Sequence, residues 1–424
     1  MVLVSRIAYN RKHLCLKSVP FLFLLSLTLC FSAGAAAGSW ECPVLESERK
    51  IVRDPSSGAD LIFVTHNSAQ DTNLYFHQRS WLSDGSMLFF FTNRTGRQEI
   101  FGYLESTGEL VRLQRPEDQT ISHATAGRFK NHLYFVRGKS VYEWDFEITA
   151  SDSENPSKVR VTERHVGELP DNMTGSLGIS ENSTGRALVV AFQTEGEDNR
   201  YHIIWMNKLT GRSKEMTAMD EIITHVQASW TDPDLVMFSR EHTDRPMEIP
   251  EGKIHSRMTL VDLSGRAPWP IYPQIEGELV THECWWVEDQ LTFCSGTRSE
   301  GHAEEAHVKV FDLSTGQSRI IGAGTWWPGG SPKAMSKHNW WHASGAPNGR
   351  WVAADNWHGD IAIFSARTSR MRRLTENHRT YGSGAHPHVG WNPDGTRVVF
   401  TSNRRGNPDV VIGVLPMSWR NEDW

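Results

Sequence analysis

The feature that most restricts what this chain can fold into is a phrase that it repeats. A small or aromatic residue leads into a turn built on Asp, Asn or Gly. An apolar, β-prone run follows, then a polar gap, a second such run, and TG or SG before a short third one. The copies begin at Trp81 (WLSDGSMLFFFTN…IFGYLESTGELVRL), Gly127, Gly178, Ala228, Glu283, Ser344 and Val389. Units repeating at about 45–60 residues have the period of four-stranded propeller blades. The runs alternate, are rich in Val, Phe, Trp and Ile, and are bounded by DG, NG and TG turns, and no stretch sustains a helical period. The last unit stops after about three strands, whereas LIFVTH, from Leu61 to His66, precedes the first. The expected fold is therefore all-β, a seven-bladed β-propeller whose N-terminal strand completes the last blade and leaves no open sheet edge. Two β-sandwich domains are the competing arrangement, and the regular spacing disfavours them.

The first 38 residues stand outside this pattern. Arg6, Arg11, Lys12 and Lys17 precede an apolar run from Val19 to Phe31, and small residues follow to Gly38. A basic segment, a short apolar core and a small-residue site read as a secretory signal, with a single propeller domain over 39–424. An uncleaved N-terminal anchor is the alternative. On either reading the working domain is secreted or periplasmic, and signal cleavage leaves no stable membrane insertion. The formal charge of −6 becomes −10 without that segment, 40 Lys and Arg against 50 Asp and Glu. Such a balance excludes a general nucleic-acid binder but not an anionic substrate held at a locally positive site. Cys42, Cys284 and Cys294 remain. Cys284 and Cys294 have a spacing that two paired strands could bridge, and Cys42 is expected to be free.

Chemistry concentrates in the histidines. His386 and His388 lie two positions apart in GAHPHVGWNPDG. On a strand, i and i+2 share a face, so both rings reach one point and form a bidentate clip for a metal ion. A third imidazole from another blade would complete a facial set. Histidines recur at the same phase of other units: His225 before the fourth, His282 before the fifth and His342 before the sixth, with His66 and His77 flanking the first. Inner strands of a propeller line its axis, so recurrent histidines at their starts predict a polar axial channel. The carboxylates Asp71, Glu283 and Asp355 fall near predicted strand ends and read as exposed turn residues, with an Asp/Glu hydrolase pair as the alternative. Seventeen tryptophans serve either packing between blades or stacking on sugar faces; Trp285, Trp286, Trp326, Trp327, Trp340, Trp341 and Trp357 fall at turn or pocket positions.

VTHECWW and AHPHVGWNPDGTRVVFTSNRRGNPDV resemble the oligogalacturonate lyases, as do YFHQRSWLSDGSMLFFFTNRTGRQEIFGYLESTGELVRL and RMTLVDLSG. The resemblance runs over most of the chain after Asp54. It implies a seven-bladed propeller that cleaves short acidic oligosaccharides by β-elimination with a divalent metal, usually manganese, on the axis. It places the metal on His282, His386 and His388, and sets Ser383 where the family has a glutamine. Water or another side chain, such as His342, would then fill that position. The family's base, in a phrase like FCHEG, aligns with Arg240 of FSREHTD, leaving His242 as the expected base and Arg240 in a charge-stabilising role. The family's substrate-facing arginine aligns with His202, and Arg200 could take its place.

Elimination needs such a set. The C5 proton of a uronate is weakly acidic, and its removal builds charge that spreads into the C6 carboxylate. A divalent cation stabilises that charge, a neutral imidazole accepts the proton, and an arginine holds a second carboxylate. The sequence contains no GxSxG, HExxH, P-loop or GxGxxG motif. A non-catalytic propeller of the TolB type, binding glycans or proteins, fits the blade pattern equally well but has no need of axial histidines. A propeller lyase on another uronate polymer, such as ulvan or rhamnogalacturonan, is the third reading. Oligomeric state is not legible.

Overall fold

Each repeat forms an antiparallel sheet whose strands follow one another in the chain. The structure, a computed structural model, describes residues 38–151, 155–196, 199–241, 256–275, 278–297, 305–325, 336–378, 386–422 and 424. They build seven sheets, the blades of a propeller. The innermost strands are Asp71–Asn73, Ile121–Ala126, Met173–Glu181, Ile222–Ala228, Glu278–Trp285, Trp340–Gly345 and Gly390–Trp391, for blades one to seven in turn. The expected closure is present. Asp60–Phe63 pairs with Asp409–Val414, Ile62 opposite Ile412, and Lys50–Arg53 lies outside it. Two further N-terminal pairings have no counterpart in the repeat. Gly38–Glu41 caps the outer edge of blade two and Val44–Leu45 that of blade one, covering ladders that would otherwise be open.

Blades pack face to face through their alternating apolar residues. One cluster joins Trp286, Cys294 and Val308 of blade five to Trp340, Ala343 and Val352 of blade six. Trp285, Trp286 and Trp340 are fully buried there or in neighbouring clusters, so their role is packing. The Trp286 indole donates to the Ala346 carbonyl at 2.8 Å and lies against Gly345, where an added Cβ would fall 2.2 Å from the ring. Trp326 and Trp327 lie outside the described residues. The suggested Cys284–Cys294 bridge does not form. All three cysteines are free, and a register shift sets Cys284 opposite Thr292 and Cys294 opposite Thr281.

Candidate functional site

The axial histidines are aimed by bulges. The inner strands of blades four, five and six break register at the same phase, between Thr224 and Gln227, Thr281 and Cys284, and Trp340 and Ala343. His225, His282 and His342 sit inside these breaks. His225 and His282 are left-handed, with φ of 49° and 57°, as is His388 with 50°. Such a conformation costs a non-glycine residue about 1–3 kcal/mol and accumulates at functional sites. A bulge adds a residue to one strand and re-aims its side chain. The HPH pair works differently from the expected strand alternation. It precedes the short strand Gly390–Trp391, and Pro387, which has no N–H for a ladder, separates the two rings. Its carbonyl accepts from the Thr401 amide at 2.9 Å, and the left-handed turn at His388 brings the rings to 5.4 Å between centroids.

His342, His386 and His388 each present a ring nitrogen within 4.8 Å of the others. Asp355, on the second strand of blade six, fixes one of them: the His342 Nδ1–H donates to its carboxylate at 2.8 Å, and the His342 amide donates at 2.9 Å. That bond leaves Nε2 as the lone-pair nitrogen, the arrangement by which buried carboxylates orient metal-binding imidazoles. Burial, reinforced by neighbouring imidazoles, holds His342 and His388 well below the usual histidine range; burial also lowers His386. The three rings are thus neutral donors near pH 7. His282, expected among the ligands, packs on His342 at 4.1 Å between centroids, its Nδ1 bonded to the Thr281 hydroxyl at 2.9 Å. It adjoins the trio without sharing its nitrogen cluster. Ser383 lies outside the described residues. Three imidazoles without a carboxylate fit a divalent transition ion with open positions for water or substrate.

Beside the trio runs a buried polar chain. The His225 Nδ1–H donates to Glu283 at 2.9 Å, and its Nε2 faces the Tyr75 hydroxyl at 3.1 Å. Glu283 also accepts from the Ser239 hydroxyl at 2.6 Å and from Arg257 Nε at 2.5 Å. These partners, Arg257 foremost, hold its carboxyl far below the usual range despite its burial. Arg257 reaches on to Glu241 at 3.2 Å. A cavity of about 500 Å³ opens over this group, with Tyr75, His123, His225, Glu241, His386 and His388 in its wall.

Several residues stand elsewhere than expected. Asp71, Glu283 and Asp355, read as exposed turn carboxylates, are completely buried; each is held by a partner, Arg94 in the case of Asp71. Arg240 points away from the cavity and pairs with Glu221, because Ser239 and Glu241, its strand neighbours, occupy the inward face. Arg200 pairs with Asp220 at 3.2 Å and does not line the cavity. His202 stacks on Phe192 and bonds Glu215. His66 contacts Lys50 at 2.7 Å rather than the axis. His242 lies outside the described residues. Sequence alone does not single out Tyr75, Arg257 or Glu241, which lie within YFHQRSW, RMTLVDLSG and FSREHTD without an assigned role.

Comparison with known proteins follows the same lines. No family model matches the chain. An oligogalacturonide lyase of Pectobacterium atrosepticum is 20% identical over 408 residues, spanning 86% of this chain and 96% of that protein. Two solved structures superpose with a TM-score of 0.68. The oligogalacturonate lyase of Vibrio parahaemolyticus is 16% identical, covering 91% of this chain and all of its own. An oligogalacturonate lyase in complex with manganese is 18% identical, over 91% and 99%. The chain resembles the oligogalacturonate lyases. The structural likeness establishes the seven-bladed fold; what this axis does rests on its own residues.

Proposed function

We propose that the protein is a metal-dependent lyase that cleaves short uronate oligosaccharides, oligogalacturonate-like in kind, by β-elimination. The observation that carries this reading is the trio of neutral imidazoles, with His386 and His388 in the wall of an axial cavity and His342 locked behind them by Asp355. His342, His386 and His388 would hold the cation, with His282 behind them. When bound, a divalent ion, manganese by likeness to the relatives, supplies a Lewis acid for the substrate's C6 carboxylate. His225 is assigned the C5 proton. Glu283 holds its Nδ1–H, so Nε2 is the accepting nitrogen, and the Tyr75 hydroxyl bonded to it can pass the proton inward. Arg257, paired with both Glu283 and Glu241, fixes the carboxylate that orients His225. His242, two residues beyond Arg240, stays the rival base, and Arg240 and Arg200 are assigned outer roles. Residues 1–38 would export the propeller, placing it where pectin-derived oligomers are met.

The test uses digalacturonate with added manganese and follows the ultraviolet absorbance of the 4,5-unsaturated product. Chelator-sensitive product formation, reduced at least about a hundredfold in His388→Ala and His225→Ala, is expected. A flat trace with metal bound to His386 and His388 would assign the site to another uronate polymer. A flat trace without bound metal would leave a binding propeller.

A further inference from the structure

A second cavity lies at the other end of the axis. The site above draws on the beginnings of the inner strands: Ser122 and His123 in blade two, Thr224 and His225 in blade four, His388 in blade seven. The second cavity, of about 280 Å³, draws on their far ends: Gly127, Trp230 and Trp391 in the same three blades. His77 and Gln78 belong to both walls and separate them. Its volume suits one sugar ring rather than a chain, just under the roughly 300–1,000 Å³ of ordinary small-molecule sites.

Two guanidinium groups face this cavity without a carboxylate of their own. Among the described residues, Arg79 bonds its neighbours only through its backbone, to Thr125 and Ala126. Arg128 donates from its side chain to the Trp230 carbonyl at 3.1 Å and lies 4.7 Å over the indole of the same residue. The nearby carboxylate, Glu181, is already engaged by Lys208 at 2.6 Å, by the Tyr134 hydroxyl at 2.9 Å and by the backbone amide of Arg128 at 2.7 Å, and it bonds neither guanidinium. Burial and the adjacent Arg128 push Arg79 down to about 9, and Glu181 offsets only part of that. The remaining wall is aromatic: Phe76, Trp81, Trp391 and Phe129, the last 55% exposed at the rim. An arginine pair facing aromatic rings is the chemistry that recognises a carboxylate carried on a sugar, with guanidinium for the acid and ring faces for the C–H side.

We propose that this second pocket binds a single uronate, its carboxylate on Arg79 and Arg128 and its ring against the aromatic wall. The anion site stands on the geometry alone; the choice of a uronate rests on the function proposed above. A monosaccharide site behind the axis would take up the end product of oligomer breakdown without occupying the catalytic mouth.

Galacturonate is titrated into the full protein by calorimetry after exhaustive chelation, with galactose and inorganic phosphate in parallel. One-to-one binding of galacturonate that survives chelation and the His388→Ala substitution is expected, with galactose and phosphate each at least about tenfold weaker. Arg79→Gln and Arg128→Gln should each weaken it at least about tenfold while digalacturonate turnover stays within about twofold of the parent. If Arg79→Gln fails to fold by thermal melting, Arg128→Gln and the chelated parent decide. Binding that disappears on chelation, or phosphate binding as tightly as galacturonate, overturns the proposal. Turnover without chelator-resistant binding sinks this inference alone. Chelator-resistant binding without turnover sinks the lyase reading and leaves this one standing.

Discussion

Asp355 shows how one side chain governs another's chemistry. Burial pushes its carboxyl up to about 7, yet it accepts from both the ring and the amide of His342. Replacing it with the isosteric amide keeps the volume but lets His342 adopt either tautomer. Asp355→Asn is therefore expected to weaken metal binding by roughly 10–100-fold while the fold persists. Competition against a chelator of known affinity measures this, and an unchanged affinity would show that Asp355 does not orient the ring. Glu283 is a structural counterpart. It neutralises buried Arg257 and orients His225, so Glu283→Gln strands a guanidinium that keeps only the partly exposed Glu241. Breaking a buried pair on one side costs about 3–5 kcal/mol. Urea denaturation should show a loss near the lower end of that range, and Glu283→Gln combined with Arg257→Met should recover most of it. A loss under about 1 kcal/mol would mean that water already compensates the charge.

At the scale of strands and blades, tight backbone approach decides packing. Gly345 ends the inner strand of blade six where the Trp286 indole of blade five crosses it. Gly345→Ala places a methyl group inside the ring's van der Waals radius, and overpacking a rigid contact costs about 1–3 kcal/mol. The thermal midpoint should fall accordingly. Pairing the change with Trp286→Leu should restore part of it, because the two residues share one volume; purely additive losses would refute the contact as the cause. Elements of this kind mark what the sequence does and does not disclose. Blade count, blade starts and the closing strand are legible, because turn residues and alternating apolar runs recur at a fixed period. The phase of His225, His282, His342 and His388 is legible for the same reason. The bulges that turn those rings are not, since left-handed φ at a histidine leaves no compositional trace. Nor is the burial of Glu283 and Asp355, because a carboxylate beside a strand end reads as solvent-facing until a buried arginine or imidazole from another strand is set against it. The edge strands Gly38–Glu41 and Val44–Leu45 pair with blades distant in sequence, which local pattern does not register.

The ring as a whole ties the histidine trio to the chain's two ends. Blade seven consists of three C-terminal strands completed by Asp60–Phe63, and Leu61, fully buried, packs with Val398, Phe400 and Val411. Just inside that sheet, Asn73 of blade one donates to the His388 carbonyl at 2.6 Å and accepts from the Thr401 hydroxyl at 2.6 Å. The seam between the last blade and the first therefore runs through the residue that carries a proposed ligand. If the N-terminal strand loosens, blade seven loses its partner ladder and His388 its fixed carbonyl in the same event. Leu61→Ala removes a buried side chain far in sequence from His342, His386 and His388, and it should cost about 2–5 kcal/mol through the cavity it leaves. Because closure couples the blades, that loss should appear at one denaturant midpoint by far-ultraviolet circular dichroism, by tryptophan fluorescence and by release of bound manganese. Manganese release at the parent's midpoint while the optical signals shift would show that the trio is held without the closing strand. Coincidence of all three would show that the ring unfolds as one unit, so that the strand closing the ring also stabilises the site.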